Sequence, residues 1–346
     1  MPSSSRSTRA AAVARRGLSA AAALVLVTTS NGAAAAHADG ASPKDDRPKP
    51  EPARHRVTHP EGFVETKHPL DGRPHGVSVS SAGVVYASLI GSTQLARGDV
   101  RQMRFRDHVT VGARPPQVAL SPAGNVAYAA LQGGRGVAVV DVASNALVAT
   151  LPLESEALNL IVSPDGRRLY VTTVLGTLHV VDTRTRERVA RVDVGATANG
   201  LALSPDGRRL YVSSRDAGTV TAVDLTRNAV AATYRLGGRP QGIALSPDGR
   251  ELYAANEAGA LDVVRLPAGA VSRVRLGTPA YGVAVTPDGK QLYVSLSEAG
   301  TVRVLDRATK REVKTILVGG TPRNVAFDAS GETALVANEQ AVVFIR

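Results

Sequence analysis

The stretch Gly200-Leu-Ala-Leu-Ser-Pro-Asp-Gly-Arg-Arg-Leu-Tyr-Val212 sets two short apolar runs on either side of a Pro-Asp-Gly turn. Proline presets the backbone of one turn residue, aspartate binds nearby amides, and glycine takes the left-handed position, so the stretch predicts a β-hairpin. Downstream, a third run from Thr219 to Val223 follows a glycine turn and ends in Asp224. Asp141, Asp182 and Asp306 close the same run elsewhere and are expected to bond turn amides. A fourth run, such as Glu312 to Val318, passes through Gly319-Gly-Thr-Pro322 into the next copy.

Seven such hairpins recur, starting at Ser80, Ser121, Ser163, Ser204, Ser246, Thr286 and Asp328, with spacings of 41, 42, 41, 42, 40 and 42 residues. A period of about 41 residues with four short strands per copy is the signature of a propeller. The expected fold is therefore all-β: a seven-bladed β-propeller of four-stranded antiparallel blades over residues 62–346. Six of the eight tyrosines, at 86, 128, 170, 211, 253 and 293, share one second-strand position, which assigns them to packing between blades. The seventh copy ends after three strands at Val342 to Arg346, and Phe63-Val-Glu-Thr66 followed by Leu70-Asp-Gly-Arg-Pro74 matches the fourth-strand pattern of Glu312 to Pro322. Residues 62–70 are thus expected to complete the last blade and leave no large sheet edge open.

Leu169-Tyr-Val-Thr-Thr173, the repeated Ser-Pro-Asp-Gly and the Gly-x-x-Pro linkers closely resemble the YVTN repeat family of β-propellers. The chain is also similar to the lactonase-like seven-bladed propellers. The resemblance implies an exported or cell-surface scaffold and leaves chemistry open, because function lives in sites grafted on a fold.

The N-terminal 38 residues read as a signal peptide: Arg6, Arg9, Arg15 and Arg16 without an acid, an apolar stretch from Leu18 to Val27, and Ala36-His37-Ala38 as a cleavage pattern. The apolar run is short for a membrane span, and the absence of cysteine removes disulfides and a lipidated cysteine. Export by the general secretory route or, from Arg15-Arg16, the twin-arginine route is expected. Residues 39–61, rich in proline and mixed charge, read as a disordered linker. The formal charge of +11 falls to +7 once the four n-region arginines are removed, and the excess is diffuse.

In a propeller the first strand of each blade lines a central channel, so the loops entering it and the second-to-third-strand turns share one face. Entry positions read Arg73 and His75, Arg114 and Gln117, Glu156 and Asn159, Asn199, Arg239 and Gln241, Tyr281, then Arg323 and Asn324. The turns add Arg215, Asp216, Asn256, Glu257, Glu298, Asn338 and Glu339. Arginines suit carboxylate or phosphate and amides suit hydroxyls, so this face is the candidate ligand site. The alternative for each residue is a solvated loop around a water-filled channel. Single histidines in the tether (His55, His59), the closing strand (His68), a fourth strand (His108) and a third strand (His179) show no zinc spacing, and no cofactor or metal is expected. The Ser-Pro-Asp-Gly aspartates lack the further oxygen ligands of a calcium loop.

Four functions are compatible with these residues. A monomeric binding scaffold, holding a small polar ligand, a cell-wall component or a protein, needs only the scaffold and its varied loops. A lactonase-type hydrolase would draw its base from His75, Glu257, Glu298 or Glu339 and an oxyanion donor from an arginine. A metal-assisted lyase would have only His75 at the mouth. Nucleic-acid binding through Arg73, Arg114, Arg215, Arg239 and Arg323 is disfavoured by the interspersed acids and by a chain with four Phe and no Trp for stacking.

Overall fold

A computed structural model of the chain describes residues 55–58 and 64–346. The signal-peptide reading and most of the linker reading lie outside the described residues. Seven antiparallel sheets follow one another along the chain, six of them four-stranded in sequence order. Blade 1 spans residues 74–110, blade 2 118–152, blade 3 157–193, blade 4 198–235, blade 5 240–275, blade 6 280–317, and blade 7 starts at 324. The first strand of each blade packs against the first strand of the next, and that of blade 7 against that of blade 1, which closes the ring.

Blade 7 takes its fourth strand, Val64–Pro69, from the other end of the chain, in a register running from Glu65 opposite Ile345 to Pro69 opposite Ala341. Within the segment read as a linker, His55–Thr58 forms a further strand antiparallel to Val64–Pro69, with His55 opposite Lys67. This departs from the linker reading. The closing strand presents a row of unpaired backbone groups that a neighbouring segment can satisfy.

Alternation along the second strands explains how one strand serves two interfaces, since successive side chains point to opposite faces of a sheet. Tyr86 packs toward Ala127, Ala129 and Val140 of blade 2. Its neighbours Val85 and Ala87 pack toward Leu335, Val342 and Phe344 of blade 7. All six repeated tyrosines are buried. The Pro-Asp-Gly turns behave as their chemistry requires: Asp206 accepts the Ser204 hydroxyl at 2.6 Å and the Arg208 amide at 3.0 Å, and Gly207 sits at φ +68. Asp182, Asp224 and Asp306 accept amides two or three residues on.

A β-bulge interrupts the first-strand pairing in blades 1, 3, 4, 5 and 6. Each register shift passes over the residue equivalent to His75: His75 itself, Leu158, Asn199, Gln241 and Tyr281. A bulged residue is freed from the ladder and its side chain is re-aimed. Beside the bulge a second-strand hydroxyl repairs the lost pairing. Ser88, Ser213 and Ser295 accept the amides of Gly76, Gly200 and Gly282 and donate to the carbonyls of Pro116, Gln241 and Arg323 in the next blade. Thr172 donates to the Asn199 carbonyl in the same way.

Candidate functional site

Seven different side chains stand at equivalent positions around one end of the channel: His75, Leu158, Asn199, Gln241 and Tyr281 at bulges, and Pro116 and Arg323 without one. One residue further on stand Gly76, Gln117, Asn159, Gly200, Gly242, Gly282 and Asn324. The glycines let neighbouring strands approach, because a Cβ on Gly200 would lie 2.4 Å from the Gln241 carbonyl and one on Gly282 2.5 Å from that of Arg323. Together these positions enclose a cavity of about 200 Å3 lined by His75, Gln117, Asn159, Asn199, Tyr281, Arg323 and Asn324 among others.

A larger groove of about 940 Å3 lies on the opposite face between blades 4 and 5, among Asp206, Arg208, Arg209, Asp248 and Arg250. It is built from the turn residues that recur in most copies, and Asp206 and Asp248 are occupied with their own turns. The channel is where the copies differ from one another, and it is there that the site is placed.

His75 is partly exposed to the channel but enclosed by protein. Its Nδ1 lies 2.9 Å from the Pro116 carbonyl, an acceptor, so Nδ1 carries the proton and Nε2 faces the Tyr281 hydroxyl at 3.4 Å. The rings meet edge to face, with centroids 5.7 Å apart at 89°. Burial drives the His75 pKa down to about 4, with Arg323 acting in the same direction. The Arg323 guanidinium lies over the Tyr281 ring, 4.5 Å from its centroid.

Two ion networks rim the mouth. Glu339 accepts from Arg73 and Arg323, both at 2.7 Å, joining the ends of the ring closure. Burial pushes the Glu339 carboxyl up, but the two arginines outweigh it and hold it below the usual range. On the other side Glu257 binds Arg215 at 3.2 Å and Arg239 at 3.5 Å, and Asp216 contacts the same two arginines. Gln241, 1% exposed, donates to Glu257 at 2.5 Å and accepts from the Asn199 amide.

Not every residue of the predicted face joins this site. Asn256 and Asn338 are buried inside their turns, where they bind backbone groups such as the Gly237 and Val318 carbonyls. Glu298 is exposed and Arg114 is exposed at φ +53; neither makes an ion pair among the described residues. The bulges and the hydroxyl struts escaped the sequence reading, although the Ser or Thr two residues after Tyr86, Tyr170, Tyr211 and Tyr293 was a legible signal. Among the described residues no group of three or more His, Asp or Glu side chains converges to hold a metal ion.

The fold and its mouth define the class: a seven-bladed β-propeller with a polar channel. Residues 173–258 match the family model of the cytochrome D1 heme domain, about a quarter of the chain. Among solved structures, hydrazine synthase from Kuenenia stuttgartiensis superposes with a TM-score of 0.74 at 20% identity, covering 80% of this chain and 96% of that one. At that identity the likeness shows the fold. No curated protein sequence matches the chain.

Proposed function

We propose that the protein is an exported binding scaffold that holds a small polar ligand, or a polar segment of a partner, at the channel mouth. The observation that carries this reading is the rim on which each blade presents a different side chain at the position equivalent to His75, five of them re-aimed by bulges. The sequence of residues 1–38 supports export, and the resemblance to YVTN repeats supports a scaffold role. No helix of the described residues is long and apolar enough to cross a membrane.

The matched family is named for a heme, and the channel does not fit one. Its volume of about 200 Å3 is below the roughly 300–1,000 Å3 typical of sites for drug-sized ligands. Of the residue types that ligate heme iron, the lining offers His75 and Tyr281, which face each other at 3.4 Å, and Arg323 covers the Tyr281 ring. His179, in the matched stretch, is buried and bonded to Thr177.

A hydrolase of the lactonase type would use His75 Nε2 as its base. With a pKa of about 4 that nitrogen is a weak base at neutral pH, and Glu257 and Glu339 are tied in ion pairs. Nucleic-acid binding loses support in the same way, since Arg73, Arg215, Arg239 and Arg323 already pair with acids.

The test is a thermal-shift screen of the full chain against sugar acids, lactones, neutral sugars, wall fragments and short single-stranded DNA. A ligand that binds the folded form raises the melting temperature by mass action. The scaffold reading expects a shift that Arg323→Ala removes, with no lactone turnover. Turnover of a lactone, lost in His75→Ala, would replace it with the hydrolase reading.

A further inference from the structure

The amides of the channel are not free to turn. The Oε1 of Gln117 accepts the Val118 amide at 3.1 Å, Oδ1 of Asn159 accepts the Leu160 amide at 2.7 Å, and Oδ1 of Asn324 accepts the Val77 amide of blade 1 at 3.2 Å. A backbone N–H only donates, so the atom facing it is the oxygen and the NH2 of each side chain is turned the other way. None of those three NH2 groups makes a hydrogen bond among the described residues, and all three side chains line the channel, half-buried. They come from blades 7, 2 and 3, whereas blades 1, 4, 5 and 6 place glycine at the same position.

Charge and acceptors complete the pattern. Arg323 is the charged residue of the lining, while the carboxylates of Glu257 and Glu339 are engaged outside it. In blades 4 and 5, Glu257 accepts the Gln241 NH2, so Gln241 offers its carbonyl to the Asn199 NH2, which leaves the Asn199 Oδ1 as an acceptor. His75 and Tyr281 satisfy one another and Pro116, and do not compete for a ligand.

We infer that the channel seats a small hydroxy acid: its carboxylate accepts from the NH2 groups of Gln117, Asn159 and Asn324 beside Arg323, and its hydroxyl donates to Asn199 Oδ1. Donors in excess of acceptors, together with the guanidinium N–H groups of Arg323 that its Nε bond to Glu339 leaves over, select an anion over a neutral analogue. A cavity of about 200 Å3 has the volume of roughly six or seven liquid waters, which suits an acid of a few carbons. The inference rests on the channel-mouth reading above and specifies its ligand.

The experiment is titration calorimetry of the full chain with L-malate, succinate and the uncharged malamide, repeated on Asn324→Asp and Gln117→Glu. Both substitutions keep the oxygen that the backbone amide needs, so the unliganded melting temperature reports folding separately. Malate binding, at least tenfold weaker in each variant, absent for malamide and severalfold weaker for succinate, is the expected result. Equal binding of malate and malamide, or variants that bind malate normally, overturns the carboxylate seat and leaves a mouth ligand of another kind. Equal binding of succinate and malate removes the role of Asn199. If neither acid binds while another compound of the screen does, this inference fails alone; if nothing in the screen binds, it fails together with the small-ligand reading.

Discussion

Ser213 in blade 4 donates its hydroxyl to the carbonyl of Gln241 in blade 5 at 2.5 Å while accepting the amide of Gly200 at 2.8 Å. One fully buried hydroxyl thus supplies the partner that the bulge took from Gly200 and ties two blades at the residue that faces the channel.

Removing that hydroxyl strands a buried N–H and a buried carbonyl. Ser213→Ala is expected to cost about 1–3 kcal/mol, the desolvation penalty of unsatisfied buried groups. Urea unfolding measures it, and an unchanged midpoint would show that the strut carries no stability.

Phe344 is fully buried in the blade that joins the two ends of the ring, 6.0 Å ring to ring from Phe105 of blade 1. Phe344→Ala is expected to lose about 3–5 kcal/mol, as for large-to-small changes in a packed core. Denaturant unfolding reads the loss. Because the same residue serves the closure, limited proteolysis near residue 70 should also accelerate.

His75 has a folded pKa of about 4 against 6.5 for the free side chain. Its neutral form belongs to the folded state, so its contribution is complete above about pH 6.5 and is lost as pH falls from there through about 4. One pKa unit is about 1.4 kcal/mol, so the loss is at most about 3.4 kcal/mol, less whatever channel water screens. Melting temperatures at pH 7.5 and 4.5 should diverge more for the natural protein than for His75→Gln. Parallel curves would mean that the imidazole is better solvated than its surroundings indicate.

Glu339 is the shared partner of Arg73 and Arg323. Glu339→Gln leaves both guanidiniums uncompensated at the rim and should reduce stability by about 1.5–3 kcal/mol, the range for hydrogen bonds to charged groups. The same change makes the mouth more positive, so malate should bind more tightly at low salt, with the gain fading as ionic strength rises. Tighter binding in a less stable protein separates this outcome from simple damage.

The number of blades, the strand order and the closure by the segment around Val64–Pro69 were legible in the sequence because each depends on a pattern that repeats along the chain. Pro-Asp-Gly turns, two-residue alternation and a period of about 41 residues need no knowledge of what lies opposite in space. The same repeat located the mouth, since aligning copies places His75, Asn199, Gln241, Tyr281 and Arg323 at equivalent positions. What only the tertiary structure decided is how those side chains are used. Arg73 meets Glu339 266 residues away because the ring closes, and Gln241 meets Asn199 across a blade boundary 42 residues wide. Asn256 and Asn338 turn inward, His55–Thr58 finds a sheet edge, and the amides of Gln117, Asn159 and Asn324 turn their nitrogens away from the backbone. Each of these is settled by competition for hydrogen-bond partners on neighbouring blades, which a pattern along one strand does not encode.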